Sequence, residues 1–152
     1  MAEIQGCAIP EDLYYDVAHN VWVRVRSEES TVIIGMTDPA QTLAGRILFV
    51  RPKKPGTRVA KGRSLASLES GKWAGPLASP LAGTIVAINP RLGDEPFLLN
   101  IDPYGEAWVV EMQPDPAQSW EHLVTGERAV QAYQEKIRSE KIQCMRCSEG
   151  ET

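Results

Sequence analysis

Residues 68–76 read Leu-Glu-Ser-Gly-Lys-Trp-Ala-Gly-Pro, with one lysine, Lys72, at the centre. The flanking segments 62–68 and 77–88 are largely apolar and contain no lysine. The serine, glycine and proline residues around Lys72 favour turns. The sequence therefore predicts a β-hairpin with Lys72 at or near its tip, where the amine projects into solvent.

A lysine at a hairpin tip is suited to receive an acyl group rather than to act as a nucleophile. An exposed lysine amine is protonated at rest, so a separate ligase has to bring an activated acid to it. Exposed hairpins also carry lysines for solubility alone. By itself, the Glu-Ser-Gly-Lys motif favours this second interpretation.

A near-repeat of the sequence on both sides of Lys72 instead favours the interpretation of Lys72 as a site of acylation. Residues 44–52 read Ala-Gly-Arg-Ile-Leu-Phe-Val-Arg-Pro, and residues 82–90 read Ala-Gly-Thr-Ile-Val-Ala-Ile-Asn-Pro. Self-similarity of this kind marks a duplicated supersecondary unit. Two such units closing on each other predict a mainly β protein, a flattened barrel or sandwich, with the lysine hairpin at one end.

Composition is typical of one globular domain. The chain has 152 residues, of which 43% are hydrophobic and 24% charged, and a formal net charge of -4. A negative net charge argues against nucleic acid or anionic membrane as a partner. The N-terminal residues are neither basic nor strongly apolar, so we expect no secretory signal. We therefore expect a cytoplasmic protein whose three cysteines rest as thiols.

We divide the chain into an irregular lead-in (1–13), a β domain that includes a C-terminal helix (14–142) and a flexible tail (143–152). The C-terminal helix is predicted because apolar residues recur at helical spacing. Those residues are Ala129, Val130, Tyr133 and Ile137.

Shorter helices are predicted at three places. Asp38 caps the first, which stops at Gly45; the second runs from Asp94 to Leu99; the third runs from Asp115 to Leu123.

The histidines and cysteines do not indicate a metal site. His19 and His122 lack ligand spacing, and Cys144-x-x-Cys147 with the remote Cys7 supplies three ligands where zinc needs about four. The Cys144 and Cys147 pair is compatible with a redox dithiol, a disulfide or inert tail thiols. Because it lacks the βαβ context of a thioredoxin-like motif, the sequence slightly favours inert thiols.

Three features resemble carrier proteins when they are taken together: the symmetric β module, the tip lysine and the preceding Glu-Ser pair. Biotin carriers have Met-Lys-Met at the tip, whereas this chain has Gly71-Lys72-Trp73. The chain resembles more closely the H protein of the glycine cleavage system, over roughly residues 14 to 135. The motifs that carry this resemblance are Trp22-Val23-Arg24, Ile34-Gly35-Met36-Thr37-Asp38, Glu69-Ser70-x-Lys72, Ser79-Pro80-Leu81-Ala82-Gly83 and Asp102-Pro103-Tyr104-Gly105-Glu106-Ala107-Trp108.

This resemblance implies a barrel-sandwich hybrid with short flanking helices, a C-terminal helix and lipoic acid joined by an amide to Lys72. It also implies that a lipoate ligase or other lipoyl-assembly enzyme recognises Glu69, Ser70, Gly71 and Trp73. Trp73 alone leaves two interpretations open: packing on the hairpin flank, or a surface that partners contact. Glu69 is otherwise a solvated strand end. Trp22 and Trp108 are expected in the core.

The tip departs from the family's usual Val-Lys-Ala. Together with the Gly6-Cys7 lead-in and the cysteine-bearing tail, it resembles the lipoate-binding proteins of the heterodisulfide-reductase-like sulfur oxidation system. That resemblance implies a non-enzymatic carrier that shuttles sulfur intermediates and electrons between a heterodisulfide-reductase-like complex and dihydrolipoamide dehydrogenase. Cys144 and Cys147 would then be accessory thiols.

Three alternatives remain open. The first is a glycine cleavage H protein, which carries an aminomethyl group between glycine decarboxylase, aminomethyltransferase and dihydrolipoamide dehydrogenase. The second is a thiol oxidoreductase that uses Cys144 and Cys147. The third is a β protein that acts by binding alone, with an unmodified tip.

Overall fold

A computed structural model describes residues 2–146, which form a β-sandwich with helices at its edges. The strands are β1 (Ala2–Ile4), β2 (Cys7–Ile9), β3 (Tyr14–Asp16), β4 (Val21–Arg26), β5 (Thr31–Met36), β6 (Ile47–Pro52), β7 (Arg58–Val59), β8 (Ser64–Ser70), β9 (Ala74–Ala78), β10 (Gly83–Ile88), β11 (Val110–Pro114) and β12 (Val124–Thr125). The helices are α1 (Asp38–Ala44), α2 (Arg91–Asp94), α3 (Leu98–Ile101) and α4 (Gly126–Glu140), and a 3-10 turn spans Ser27–Glu29.

Two antiparallel sheets make the sandwich. The larger has seven strands in the order β12-β3-β4-β5-β11-β10-β7, and the smaller has three in the order β6-β8-β9. The larger sheet buries both faces, since side chains alternate along β4: Val21 and Val23 enter the core between the sheets, whereas Trp22 enters a core on the opposite face. The mainly β fold predicted from the repeats is confirmed.

Helix α4 and the β1–β2 hairpin cover that opposite face. The predicted apolar stripe of α4 packs there, with Ala129, Tyr133 and Ile137 buried and Val130 half-buried. Trp22 lies beneath them and is fully buried, and its indole N–H donates to the carbonyl of Pro103 at 3.0 Å. The helix is thus held by tertiary burial of one face.

The N-terminal lead-in is not irregular, contrary to the prediction for residues 1–13. Strands β1 and β2 pair as a hairpin, with Ile4 opposite Cys7. Cys7 and Ile9 are fully buried in the core beneath α4. The prediction failed because this hairpin owes its burial to a helix more than a hundred residues away in the chain.

Three helix predictions also need correction. The helix predicted from Asp94 to Leu99 does not form, because α2 ends at Asp94 and α3 begins only at Leu98. The cap of α1 is Thr37, whose hydroxyl accepts from the amide of Ala40, while Asp38 lies inside the helix and accepts from the amide of Ala8 at 2.8 Å. The helix predicted from Asp115 to Leu123 does not form, since Ala117 has a φ of +60°.

The segment after α4 is anchored through residue 146, contrary to the prediction of a flexible tail from residue 143. Cys144 forms a disulfide with Cys7, with Cα atoms 4.8 Å apart. The amide of Cys144 donates to the carbonyl of Gln5 at 3.0 Å, and Arg146 pairs with Asp38 at 2.5 Å. The expectation of free thiols is therefore wrong for Cys7 and Cys144; Cys147 lies outside the described residues.

Within residues 2–146, none of the helices combines the length and the apolar character that crossing a membrane requires.

We expect Cys144→Ser, or addition of dithiothreitol, to lower the free energy of unfolding. The disulfide joins positions 137 residues apart, and a cross-link over a long loop contributes about 2–4 kcal/mol. Denaturant unfolding with and without reductant measures the loss. The Cys7→Ser/Cys144→Ser double variant is the control, because reductant should not change its stability. Equal stability of oxidised and reduced wild type would contradict the assignment.

Candidate functional site

Strands β8 and β9 form a hairpin that presents Lys72 at its tip. Glu69 pairs with Ala74, and the amide of Ser70 donates to the carbonyl of Trp73 at 2.7 Å, which closes a tight turn. Gly71 and Lys72 in this turn are exposed. The lysine therefore lies where the turn residues predict, with its side chain reachable from solvent.

Ser70 holds the turn from the inside. Its hydroxyl donates to the carbonyl of Ala44 at 2.6 Å and accepts from the amides of Lys72 at 3.3 Å and Trp73 at 3.1 Å. The residue is 8% exposed. Ser70 thus positions the hairpin against the end of α1 and offers little surface to a partner, which differs from the recognition role implied by the resemblance.

Gly45 lies directly beneath the lysine. A Cβ at this position would stand 2.8 Å from Cε of Lys72, and the residue has a φ of +81°, so glycine meets both a steric and a backbone requirement. The sequence pattern predicted Gly45 only as a helix stop. Its second role follows from the packing of Lys72 on the turn between α1 and β6.

Asn100, in α3, fixes that turn and was missed by sequence reasoning. Its side-chain Nδ2 donates to the carbonyl of Gly45 at 2.8 Å and to Oε1 of Gln41 at 3.0 Å. Its side-chain Oδ1 accepts from the backbone amide of Ile47 at 2.8 Å. One asparagine in the apolar run of residues 98–101 was the available signal, because buried polar groups need partners.

Trp73 flanks the lysine and packs on its own hairpin. A Cβ on Gly75 would stand 2.6 Å from Cζ2 of the indole, so the ring lies over Gly75. The residue nevertheless remains 36% exposed. Both interpretations left open by the sequence, packing and a contact surface, are therefore compatible with its position.

A cavity of about 160 Å³ opens beside Trp73, between the hairpin and α1. It is mostly apolar, and among the described residues that line it none is acidic. The lining residues are His19, Asn20, Met36, Ala40, Leu43, Ala44, Leu68, Trp73, Pro76 and Leu77. Such a cavity can shelter an uncharged chain or group that is attached close by.

Two polar side chains stand in this lining. Nδ1 of His19 lies 3.0 Å from Oδ2 of Asp16, which fixes the orientation of the ring. Oδ1 of Asn20 accepts from the hydroxyl of Tyr133 at 3.2 Å. The polar side of the cavity is thus a histidine paired with a carboxylate and a neutral amide.

Glu69 is exposed on the outer face of β8, three residues before Lys72. The structure does not bring Cys144 to this hairpin, since the Cys7–Cys144 disulfide lies in the core beneath α4. Nε2 of His122 lies 2.5 Å from the carbonyl of Pro80. Within residues 2–146, no three histidine, cysteine or acidic side chains are grouped to hold a metal ion.

The motif Asp102-Pro103-Tyr104-Gly105-Glu106-Ala107-Trp108 is structural. The hydroxyl of Tyr104 donates to the carbonyl of Ala8 at 2.6 Å and accepts from the amide of Asp38 at 2.9 Å. Burial raises the pKa of Tyr104 well above its usual value. This residue therefore joins β2 to α1, the helix that borders the cavity. Trp108 is half-buried and packs against the core beneath α4.

Comparison with known proteins identifies the family. The model of the glycine cleavage H-protein family matches residues 13–136. The chain belongs to this family. It is 48% identical to glycine cleavage system H protein 3 of Aquifex aeolicus over 149 residues, covering 95% of this chain and 92% of the relative. It is also 48% identical to H protein 2 of that organism over 143 residues, covering 93% and 88%.

A solved H-protein structure, that of the glycine cleavage system H protein from Mycobacterium marinum, resembles the fold with a TM-score of 0.72 at 29% identity. The match covers 82% of this chain and 98% of the other. The barrel-sandwich hybrid implied by the resemblance is confirmed. Cys7 and Cys144 both lie outside the stretch of this H-family chain that the family model matches.

We expect Asn100→Ala to lower the free energy of unfolding by about 2–3 kcal/mol, since it leaves buried backbone groups unpaired. It should also accelerate hydrogen exchange at the amides of Ser70 and Trp73, because the turn under the hairpin loosens. Exchange followed by NMR measures this effect.

The matched control is Asn89→Ala. Asn89 is also buried and donates to two carbonyls, those of Glu106 and Trp108, but on another loop. This variant should lose similar stability and leave exchange at the hairpin unchanged. Equal effects of both variants on the Trp73 amide would contradict a specific role of Asn100 at the lysine.

Proposed function

We propose that this chain is a lipoyl carrier protein, with lipoic acid joined to Lys72 through an amide bond. The observation that carries the proposal is the position of Lys72, exposed at a tight turn that Ser70 and Gly45 hold from below. Membership of the H-protein family supports it, because that family carries lipoate and serves as a substrate of other enzymes. The base of the arm is fixed while its end is free to move.

The names of the relatives favour glycine cleavage as the process served. The cargo is then an aminomethyl group on the arm, passed between glycine decarboxylase and aminomethyltransferase, with dihydrolipoamide dehydrogenase reoxidising the dithiol. H proteins 2 and 3 of Aquifex aeolicus, both similar to this chain, carry such names.

A second candidate, a sulfur cargo, is favoured by the cavity beside Lys72. An aminomethyl group is a cation at neutral pH, and a buried cation needs an acidic partner. The described lining residues include no acid, and the polar ones are His19 and Asn20. An uncharged sulfur group suits this lining better. Aquifex aeolicus has more than one H protein, which is compatible with different cargoes for different H proteins.

In this second candidate the lipoyl sulfurs exchange with thiols and persulfides of partner enzymes by thiolate attack. The partners would be a heterodisulfide-reductase-like complex and dihydrolipoamide dehydrogenase, as the resemblance of the Gly71-Lys72-Trp73 tip implies.

Incubation with a lipoate ligase, ATP and lipoic acid should place one lipoyl group on Lys72. Lys72→Arg should abolish the mass increase and change stability by no more than about 0.5 kcal/mol, because the residue is exposed. Intact-mass and peptide mass spectrometry measure both the extent and the site. Lys53→Arg, in the loop after β6, is the control and should be modified like wild type. Modification of Lys53 or Lys61 instead would refute the proposal.

The cargo can be tested by adding a carboxylate to the cavity. We expect Asn20→Asp to raise the yield of aminomethylated arm, after incubation with glycine decarboxylase and glycine, by roughly fivefold, which corresponds to about 1 kcal/mol for a partly exposed ion pair. Mass spectrometry measures the yield. Gln113→Glu, which adds the same charge at an exposed position of β11, should match wild type.

Efficient aminomethylation of wild type, unchanged by Asn20→Asp, would favour the glycine cleavage cargo and reject the sulfur cargo. In the organism that carries the gene, its deletion should then leave growth on thiosulfate intact. A sulfur cargo instead predicts that growth fails and returns with wild type but not with Lys72→Arg.

A further inference from the structure

The two repeat copies share a β-bulge but differ in the residue that follows it. In β6 the pairing with β8 shifts between Ile47 and Phe49, and in β10 the pairing with β11 shifts between Ile85 and Ala87. Each copy therefore has a β-bulge directly after its buried isoleucine. After the bulge, the copy beside the lysine hairpin has Phe49 where the other copy has Ala87.

The β-bulge itself does not need a phenylalanine. Phe49 is 50% exposed, and the equivalent position of the other copy forms the same bulge with alanine. A half-exposed aromatic ring gains only part of the stability of full burial, whereas large aromatic side chains often supply binding energy at protein interfaces. The difference between the copies therefore indicates a contact made at the Lys72 end of the molecule.

Phe49 lies on the outer face of the small sheet, level with the base of the lysine hairpin. It pairs directly with Glu69, which pairs with Ala74; in the next row, Arg51 pairs with Ser67. The guanidinium of Arg51 lies 5.6 Å from the centre of the Phe49 ring.

Small side chains in β8 and β9 leave a groove of about 440 Å³ beside the ring. The groove is lined by Phe49, Arg51, Ser67, Leu68, Glu69, Ala74 and Gly75. We call this set the Phe49 groove. It offers an apolar wall bordered by one positive and one negative side chain.

We propose that the Phe49 groove is the docking surface for the enzyme that acylates Lys72, and that Phe49 is its central apolar contact. This inference rests on the proposed lipoylation of Lys72. The short reach of the amine identifies the occupant of the groove. Before acylation, the amine is carried by a lysine side chain of four carbons, so the modifying enzyme has to cover the hairpin and the strand surface next to it. Enzymes that use the loaded arm meet a longer chain and can stand further away.

The test measures kcat/KM for transfer of lipoate by a lipoate ligase, with ATP and lipoic acid, to wild type and to Phe49→Ala. This substitution installs the residue that the other repeat tolerates, so the fold is retained. We expect kcat/KM to fall at least tenfold, with an unchanged melting temperature. Phe49→Trp keeps an aromatic ring and should restore most of the rate.

Val86→Ala is the matched control. Val86 is the bulged, exposed residue of the other copy, in the larger sheet, and its truncation should change kcat/KM by less than twofold. If wild type itself takes up no lipoate at Lys72, the proposed function fails. Full modification of wild type together with an unchanged kcat/KM for Phe49→Ala overturns the docking surface alone.

Two further outcomes identify another occupant and also overturn the proposal. In the first, Phe49→Ala is lipoylated normally but turns over slowly with an enzyme that uses the loaded arm. In the second, Phe49→Ala changes the molecular mass of the protein in solution, measured by light scattering, which would indicate a second copy on the groove.

Discussion

The hydrogen bond from the Ser70 hydroxyl to the Ala44 carbonyl joins the lysine hairpin to the body of the protein. A hydroxyl has one proton and two lone pairs, so the same oxygen that donates to Ala44 can accept the amides of the turn. The hairpin is thus fixed from its buried side through the backbone amides of the turn, and the side chain of Lys72 remains exposed. A carrier needs this arrangement, because a mobile arm is placed reproducibly only if its base is rigid.

Local patterns predicted the hairpin, the sandwich and α4, because each depends on spacing that is visible within a short window. Contacts between distant segments were not predictable in this way. The Cys7–Cys144 disulfide joins positions 137 residues apart, and Asn100 serves a turn more than fifty residues before it. Asp38 was expected to cap α1. Its buried carboxylate instead accepts a hydrogen bond from the amide of Ala8, and Thr37 caps the helix.

Helix α1 connects the candidate site to a part of the molecule outside the family match. One face of the helix, with Ala40 and Ala44, borders the cavity beside Trp73. Other residues of the helix contact the segment after α4: Gln41 donates to the carbonyl of Met145 at 2.7 Å, and Asp38 pairs with Arg146. The family match ends at residue 136, so this support lies outside the matched stretch. The disulfide anchors that segment, and the segment in turn contacts α1. The disulfide therefore also supports the helix that borders the cavity.

The two Ala-Gly turns of the repeat differ in what covers the glycine. At Ala82-Gly83, Gln118 bonds both backbone groups of Ala82, and the carbonyl of Gln113 occupies the space where a Cβ on Gly83 would stand. At Ala44-Gly45, that space is occupied by the side chain of Lys72. Glycine is required at both turns, but a main chain in a sheet cannot move away, whereas a lysine side chain can. One glycine of the repeat is therefore covered by main chain, and the other by a side chain that can move.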